Sequence, residues 1–212
     1  MARTTPVTSI SGQKGRAMPP ASVPSPANSP SSQGKQDRFP HRLKNTEAPI
    51  AELARLDTAI LLRNAFLDTA KGTELKIPES LKSDGDPRSY IVQARGRATA
   101  AFRRLISGAG GRIVSYIPNN AYMVRIDRKG ANQLAAWHGT QSVIPFEPYY
   151  KLEMKLLELA MKNEPMRGDA TLNVVLFPDS LGPALKRLQE MGVKILGRDD
   201  TPFGPKLITG VK

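Results

Sequence analysis

The sequence offers few side chains whose types and spacing could carry out a reaction. It has two histidines and no cysteine, so His138, in His138-Gly139-Thr140, is the main candidate for a general base. A catalytic triad also needs a nucleophile and an acid that orients the base. No Asp-Thr-Gly or Asp-Ser-Gly motif precedes His138, and no Gly-Thr-Ser motif follows it. We therefore expect His138 to lie at a helix end and predict no catalytic residue in this chain.

Metal and phosphate sites are not predicted either. His41 and His138 lie in unrelated segments without cysteines or a carboxylate cluster, whereas a zinc site brings several such ligands together. The glycine-rich run at residues 108–111 could suggest a phosphate-binding loop. Such loops lead from a strand into a helix, and this run leads from a predicted helix into a predicted strand. We interpret it as a helix end followed by a tight turn, and we expect no cofactor.

The charge of the chain suggests an anionic partner as one alternative. The sequence has 31 Lys and Arg against 19 Asp and Glu, a formal net charge of +12. Seven basic residues and one acidic residue lie in residues 1–45, a Pro- and Ser-rich segment with little apolar surface to bury. Such a tail can bind nucleic acid or an anionic surface. We predict a disordered tail there and, because no long apolar run exists, no membrane-spanning helix.

Three segments that flank the predicted domains have weaker patterns. The apolar spacing of Leu53, Leu56, Ile60 and Leu61 favours a helix over residues 46–70. Residues 71–89 contain two glycines and two prolines, which predict a linker. A further helix is predicted over residues 151–164.

Residues 90–150 alternate between strand and helix patterns. Strands are predicted at residues 90–93, 112–117, 121–126 and 141–146, with amphipathic helices after the first and third. Pro118, Asn119 and Asn120 favour a tight turn between the two middle strands. The order β-α-β-β-α-β places both helices on one face of an antiparallel sheet, which is the ferredoxin-like arrangement of an α+β fold.

The same order begins again at residue 172. Residues 172–177 have a strand pattern, a helix then ends at Gly192, and further strands are predicted at residues 193–196 and 206–211. The second helix and fourth strand have no counterpart in residues 172–212. This partial second copy predicts that the chain is the front part of a longer protein.

Four stretches of the sequence carry a resemblance to a known family. They are residues 90–93 (YIVQ), 108–127 (GAGGRIVSYIPNNAYMVRID), 134–137 (LAAW) and 143–152 (VIPFEPYYKL). Together they resemble the N-terminal propeptide region of bacterial subtilisin-like serine peptidases. The resemblance covers roughly residues 88–212, and its most specific parts are the YIPNNAY and EPYYKL stretches.

The resemblance implies a chain without catalysis of its own. A propeptide of this family assists the folding of its peptidase domain and inhibits that domain temporarily, with its sheet packed on two peptidase helices. The residues expected to contact the peptidase lie in the predicted hairpin: Tyr116, Asn119, Asn120, Tyr122 and Val124. The parent protein is expected to be exported, although the first 30 residues lack the apolar segment of a secretory signal.

Two other functions stay open at this stage. RNA-recognition domains have the same fold and stack bases on aromatic residues of their central strands. Tyr90 and Tyr122 occupy such strands here, but the aromatic-rich motif of those domains is absent. The other alternative is a structural or ligand-sensing pair of ferredoxin-like domains.

Overall fold

The described part of the chain begins with a small three-stranded sheet. The computed structural model describes residues 39–202 and 204–210, so most of the predicted tail, residues 1–38, lies outside it. The first elements are β1 (Leu43–Lys44), α1 (Ile50–Leu53), β2 (Ala59–Leu61) and β3 (Ala65–Asp68). The strand order is β1-β3-β2, with β1 parallel and β2 antiparallel to β3. Residues 39–45 therefore belong to the fold, which corrects the predicted end of the tail.

The helix predicted over residues 46–70 is wrong. Only the short helix α1 forms there, and residues 59–68 form a hairpin in which Leu62 N donates to Ala65 O (2.8 Å). Ile60, one of the residues whose spacing suggested a helix, is fully buried in β2 together with Leu67 in β3. Helix propensity is a weak preference that tertiary contacts override, and these side chains are buried against a neighbouring sheet.

The segment predicted as a linker, residues 71–89, is packed against the rest of the chain. Two short 3-10 turns, Thr69–Lys71 and Glu79–Leu81, give it local structure. Leu81 is buried, and Leu75 and Ile77 pack against the same apolar cluster. Residues 75–81 of the predicted linker are therefore held by apolar contacts, whereas none of residues 82–88 is buried.

A four-stranded sheet with two helices follows, and we call it the first module. Its elements are β4 (Ser89–Ala94), α2 (Ala100–Gly108), β5 (Arg112–Ile117), β6 (Ala121–Arg125), α3 (Arg128–Ala135) and β7 (Thr140–Pro145). The strand order is β5-β6-β4-β7, and every neighbouring pair is antiparallel. The side chains of Thr99 and Asp127 accept backbone hydrogen bonds at the starts of α2 and α3. The predicted α+β class is confirmed, with the elements in the predicted order.

Both faces of this sheet are covered. On the helix side, an apolar cluster contains Tyr90, Val92, Phe102, Ile106, Tyr122, Val124, Ala131 and Leu134. On the opposite side, a second cluster joins Ile91, Met123 and Ile144 of the sheet to Ile60, Ala65, Leu67 and Leu81, together with Tyr149 and Leu157. We call residues 39–81 the N-terminal cover. Because the helices lie on one face and the cover on the other, every residue of β4 is buried.

Two short helices lead away from the first module. They are α4 (Pro148–Lys151) and α5 (Met154–Lys162). Leu157 of α5 is fully buried in the cluster on the cover side of the sheet. After α5, Asn163 has a left-handed backbone with φ of 53°, a common helix ending. The helix predicted over residues 151–164 therefore exists but begins at Met154.

The remaining elements repeat the order β-α-β-β, and we call them the second module. They are β8 (Thr171–Val175), α6 (Leu181–Glu190), β9 (Lys194–Thr201) and β10 (Gly204–Gly210). The strand order is β8-β10-β9, with β10 antiparallel to both neighbours. Gly204 has φ of 130°, and a Cβ there would lie 2.2 Å from Leu176 O, so this hairpin needs glycine. Among the described residues, no helix has the length and apolar character that crossing a membrane requires.

Candidate functional site

The predicted turn between β5 and β6 is present, and it contacts the N-terminal cover. Asn119 and Asn120 have left-handed backbones with φ of 66° and 65°, the conformation that short hairpin turns use. Asn119 Nδ2 donates to Leu53 O (3.4 Å), and Asn120 Nδ2 donates to Asp57 Oδ1 (3.2 Å). The two asparagine side chains are therefore engaged within the chain and hold the cover beside the turn.

The three other residues predicted to contact a peptidase differ in exposure. Tyr116 is 58% exposed, and its ring meets the edge of the Tyr122 ring at 5.6 Å between centroids. Tyr122 and Val124 are 7% and 0% exposed. Their alternation along β6 places both in the helix-side cluster. The prediction that Tyr122 and Val124 offer a contact surface is therefore wrong, while Tyr116 is accessible.

Gln93 is a structural centre that the sequence analysis did not identify. Its side chain is fully buried in β4. The amide nitrogen Nε2 donates to Asp57 O and Asn119 O, each at 3.0 Å. The oxygen Oε1 accepts from the Thr69 hydroxyl (2.7 Å) and the Ser142 hydroxyl (3.3 Å). One side chain thus connects the cover, the turn and β7. The sequence signal that could have identified it was a glutamine inside the apolar run YIVQA.

A second polar contact fixes the cover at residues 147–152, one of the stretches that carry the resemblance. Asn64 is fully buried, and its Nδ2 donates to Tyr149 O (2.9 Å) and Leu152 O (2.8 Å). The Tyr149 hydroxyl in turn donates to His41 O. Burial raises the pKa of Tyr149 above its usual value. The tyrosines of the EPYYKL stretch therefore have a packing role, because they hold the cover on the sheet.

The histidines and the glycine run lie where the sequence suggested. His138 is exposed after α3, and its ring centroid lies 5.0 Å from that of Trp137. His41 lies in the cover, away from His138 in the sequence, and the described residues contain no group of three or more possible metal ligands. Gly110 has φ of 81°, and a Cβ on Gly111 would lie 2.8 Å from Ile106 Cγ2, which is too close for a side chain. The run at residues 108–111 ends α2, as predicted.

The aromatic residues that an RNA-binding sheet would use are not accessible. Tyr90 and Tyr122 are 5% and 7% exposed, and both lie in the cluster under α2 and α3. The Tyr90 hydroxyl donates to Asp86 Oδ1 (2.9 Å). The sheet face on which RNA-recognition domains stack bases is here occupied by the N-terminal cover. Base stacking on these two tyrosines is therefore not supported.

The sheet of the second module has one open face. Leu207 and Thr209 of β10 are buried, whereas Lys206 and Ile208, on the other face, are partly exposed. Val175 and Leu196 are on this open side, 60% and 49% exposed. Lys206 Nζ pairs with Asp199 Oδ2 (2.7 Å), and this hydrogen bond lowers the pKa of Asp199. We call the surface formed by Val175, Leu196 and Ile208 the open apolar face.

A cleft of about 640 Å³ separates β5 from the loop that follows β8. Two cations of the first module, Arg112 and Arg125, both pair with Asp179 of this loop. The Arg125 guanidinium also lies 5.1 Å from the centroid of the Phe177 ring. Lys151 lines the cleft as well, and burial lowers its pKa. The cleft therefore has an excess of positive charge, part of which holds the second module against the first.

Comparison with known proteins gives one family match. A family model described as Domain of unknown function (DUF8729) matches residues 52–147. The matched segment contains the β2–β3 hairpin and the whole first module. The similarity to this family therefore covers the hairpin and the sheet that share an apolar cluster. No curated protein and no solved structure matches the chain significantly.

Proposed function

We propose that this chain is the propeptide region of a subtilisin-like serine peptidase precursor. It performs no catalysis itself; it assists the folding of the peptidase domain and inhibits that domain until it is removed. The resemblance of residues 90–93, 108–127, 134–137 and 143–152 to such propeptides is the basis of this proposal. The parent enzyme is a subtilisin-like endopeptidase, and its catalytic domain is the partner.

The observation that carries the proposal is the contrast between the two sheets. The face of the first sheet that lies away from its helices is occupied by Ile60, Ala65 and Leu67 of the cover. The corresponding face of the second sheet exposes Val175, Leu196 and Ile208. A propeptide of this family packs a sheet on helices of its peptidase, and exposed apolar patches of this kind mark interaction sites. We therefore assign contact with the peptidase to the second module.

This assignment changes the role of the β5–β6 hairpin, which the sequence analysis predicted to contact the peptidase. Asn119 and Asn120 bind the cover, and Tyr122 and Val124 belong to the core. In our proposal, the first module is a support whose own sheet face is already filled. The partner surface consists of the open apolar face, with the Lys206–Asp199 ion pair beside it.

Sequencing the gene beyond the codon for Lys212 tests the proposal most directly. We expect the reading frame to continue into a domain with the Asp, His and Ser motifs of a subtilisin-like peptidase. A stop codon at this point, or an unrelated domain, would contradict the proposal.

An inhibition and refolding assay tests the assigned surface. The purified chain is added to the separately refolded peptidase domain, and peptide hydrolysis and the yield of active enzyme are measured. We expect the chain to lower hydrolysis and to raise the yield, and Leu196→Asp to weaken inhibition at least about tenfold, equal to ~1.4 kcal/mol.

The matched control is Met161→Asp, which places the same charge on an exposed apolar residue of α5. It should inhibit as the unchanged chain does. If Leu196→Asp and Met161→Asp have equal effects, the open apolar face is not the contact surface. If no form of the chain affects hydrolysis or refolding, the proposed function is wrong.

A further inference from the structure

The positive charge of the described chain is concentrated in the first module. Residues 87–146 contain eight Arg, one Lys and a single acidic residue, Asp127. The N-terminal cover has six basic and six acidic residues, and residues 171–210 of the second module have five and four. The Asp127 carboxylate is already engaged, because it accepts a hydrogen bond from Gly130 N (2.8 Å) at the start of α3. The first module therefore has a large local excess of positive charge.

Five of these basic residues have exposed side chains on α2, on α3 or in the loop before α2. We call them the helix-layer cations: Arg95, Arg97, Arg103, Arg104 and Lys129. None of the five forms an ion pair with a carboxylate among the described residues. Arg103 Nη1 donates to the Tyr122 hydroxyl (3.3 Å), which is a neutral partner. The charge of this group is therefore not compensated within the described chain, and it attracts anions.

The helix-layer cations are spread from one end of the two helices to the other. Arg95 N donates to Gly139 O (2.8 Å), so the loop before α2 lies beside the loop after α3. At the opposite end, a Cβ on Gly130 would lie 2.5 Å from Ala109 O, so the end of α2 touches the start of α3. The helices are thus antiparallel neighbours. Their outer surface has cations at both ends and in the middle.

The outer surface of this layer is polar. The large apolar side chains of α2 and α3, which are Phe102, Ile106 and Leu134, are buried in the helix-side cluster. Of the exposed large apolar residues in the described chain, one, Tyr116 on β5, belongs to the first module. Helices that bind a membrane surface insert an apolar face into the lipid, and proteins that bind single strands stack bases on aromatic residues. The layer therefore suits a rigid polyanion whose charges lie on its outside.

The side chains of the layer fit phosphate in particular. Four of the five helix-layer cations are arginines, and a guanidinium group can donate two parallel hydrogen bonds to one phosphate. A nucleic-acid duplex has one negative charge per ~1.7 Å of its axis. The helix α2 has nine residues, and a helix of this length extends over about 14 Å. A duplex that lies across the layer brings several phosphates within reach of these cations at once.

We propose that the helix layer of the first module binds the phosphate backbone of a nucleic-acid duplex without reading its sequence. The phosphates contact the helix-layer cations, and the release of counterions from the duplex supplies the free energy of binding. This surface differs from the sheet face that RNA-recognition domains use, which the N-terminal cover occupies here. It also differs from the open apolar face, so duplex binding does not depend on contact with a peptidase.

Fluorescence anisotropy of a labelled DNA duplex of about 20 base pairs tests the proposal with the full chain. We expect binding to weaken steeply between about 50 and 200 mM salt, with a slope of log K against log salt of about −4 or steeper. Arg104→Gln should reduce this slope by about 1, and Arg97→Gln together with Arg104→Gln should reduce it by about 2. The double variant should also bind at least about tenfold more weakly at the lower salt concentration. Absence of duplex binding at that concentration would overturn the proposal.

The matched control is Arg55→Gln, which removes an exposed arginine from the N-terminal cover. It should leave the affinity and the salt slope unchanged. If Arg104→Gln and Arg55→Gln have the same effect, the helix layer is not the binding surface. Leu196→Asp, which tests the peptidase contact, should not change duplex binding, so a failure of the proposed function and a failure of this proposal are distinguishable.

Two competitors separate a nucleic acid from other anionic partners. Phosphatidylserine vesicles and poly-glutamate are each added at the same concentration of negative charge as unlabelled duplex. We expect the duplex to displace the labelled probe at least about tenfold more effectively than either competitor, because only the duplex offers closely spaced phosphates on a rigid axis. Equal displacement by the vesicles would overturn the proposal in favour of a membrane surface. Equal displacement by poly-glutamate would overturn it in favour of an acidic polypeptide.

Discussion

At the scale of single residues, Gln93 shows how one buried polar side chain joins segments that are distant in the sequence. Its amide satisfies carbonyl groups of the cover and the β5–β6 turn, and hydroxyl groups of Thr69 and Ser142 satisfy its oxygen. Burial of an amide without partners is costly. With its partners in place, Gln93 favours one position of the cover on the sheet.

We predict that Gln93→Leu lowers the free energy of unfolding by about 3 kcal/mol, because Asp57 O and Asn119 O lose their donor. Urea denaturation followed by circular dichroism measures this change. Gln133→Leu, on the exposed side of α3, should change the free energy by less than about 0.5 kcal/mol. Similar effects of the two substitutions would show that the buried bonds contribute little.

Two buried tyrosines predict a loss of stability at alkaline pH. Burial raises the pKa of Tyr90 to about 12, with the Asp86 hydrogen bond adding to the rise. Burial also raises the pKa of Tyr150 to about 12, with the charge of Glu147 adding. Since the usual value is 10.0, the neutral phenols stabilise the folded state fully below pH 10 and lose this effect as the pH rises toward 12.

The urea midpoint should therefore fall between pH 10 and pH 12, in step with tyrosinate absorbance. Tyr90→Phe removes one of the two groups and should make this alkaline decline smaller. Tyr116→Phe, at an exposed position, should leave the decline unchanged. An alkaline decline that is the same in all three proteins would refute the assignment to Tyr90.

At the scale of elements, the N-terminal cover replaces water over the sheet face opposite the helices. The β2–β3 hairpin supplies Ile60, Ala65 and Leu67. Asn64 fixes the turn of this hairpin to Tyr149, and Asn119 holds α1 through Leu53 O. Without this cover, the apolar residues of β4, β6 and β7 on that face would be exposed. The hairpin and the first module are thus one folding unit, consistent with the family match over residues 52–147.

We predict that Leu67→Ala lowers the free energy of unfolding by about 3 kcal/mol, since it removes buried apolar volume and leaves a cavity. Leu56→Ala is the matched control, because Leu56 is 38% exposed in the same segment. It should cost well under about 1 kcal/mol. Denaturant unfolding of both proteins decides the question: equal effects would mean that the cover does not share the core of the first module.

At the scale of the whole molecule, burial decreases from the first module to the second. The large apolar clusters contain residues from the cover, the first module and α4–α5, and none from residues 171–210. In the second module, Leu207 is the one buried large apolar side chain among its described residues. A segment with few buried contacts is expected to open locally at a low cost in free energy.

We predict that amides of β8, β9 and α6 exchange at least about a hundredfold faster than those of β3, β4 and β6, a difference of ~2.7 kcal/mol in opening free energy. Hydrogen-exchange mass spectrometry of the purified chain measures both groups in one experiment. Within the described residues, limited proteolysis should cleave first after residue 164. Equal protection in the two modules would contradict the prediction and would indicate a single cooperative unit.

The sequence determined the features that depend on local backbone preference and on the period of apolar residues. The alternation in β6, the left-handed asparagines of the turn and the glycine end of α2 were all readable, because each depends on neighbouring residues. The repeat of the β-α-β-β order was readable for the same reason. Of the candidate contact residues, the sequence identified the hairpin but not the direction of its side chains.

Only the tertiary structure decided which surfaces meet. Residues 59–68 have a spacing that suits a helix or a strand, and they are strands because the bare face of a sheet lies beside them. The same contact between the cover and the sheet surrounds Gln93 with its partners. Among the described residues, no such cover lies on the sheet of the second module, so that sheet has the open apolar face. Such pairings join residues as distant as Asn64 and Tyr149, and local sequence patterns do not encode a contact whose two sides are far apart in the chain.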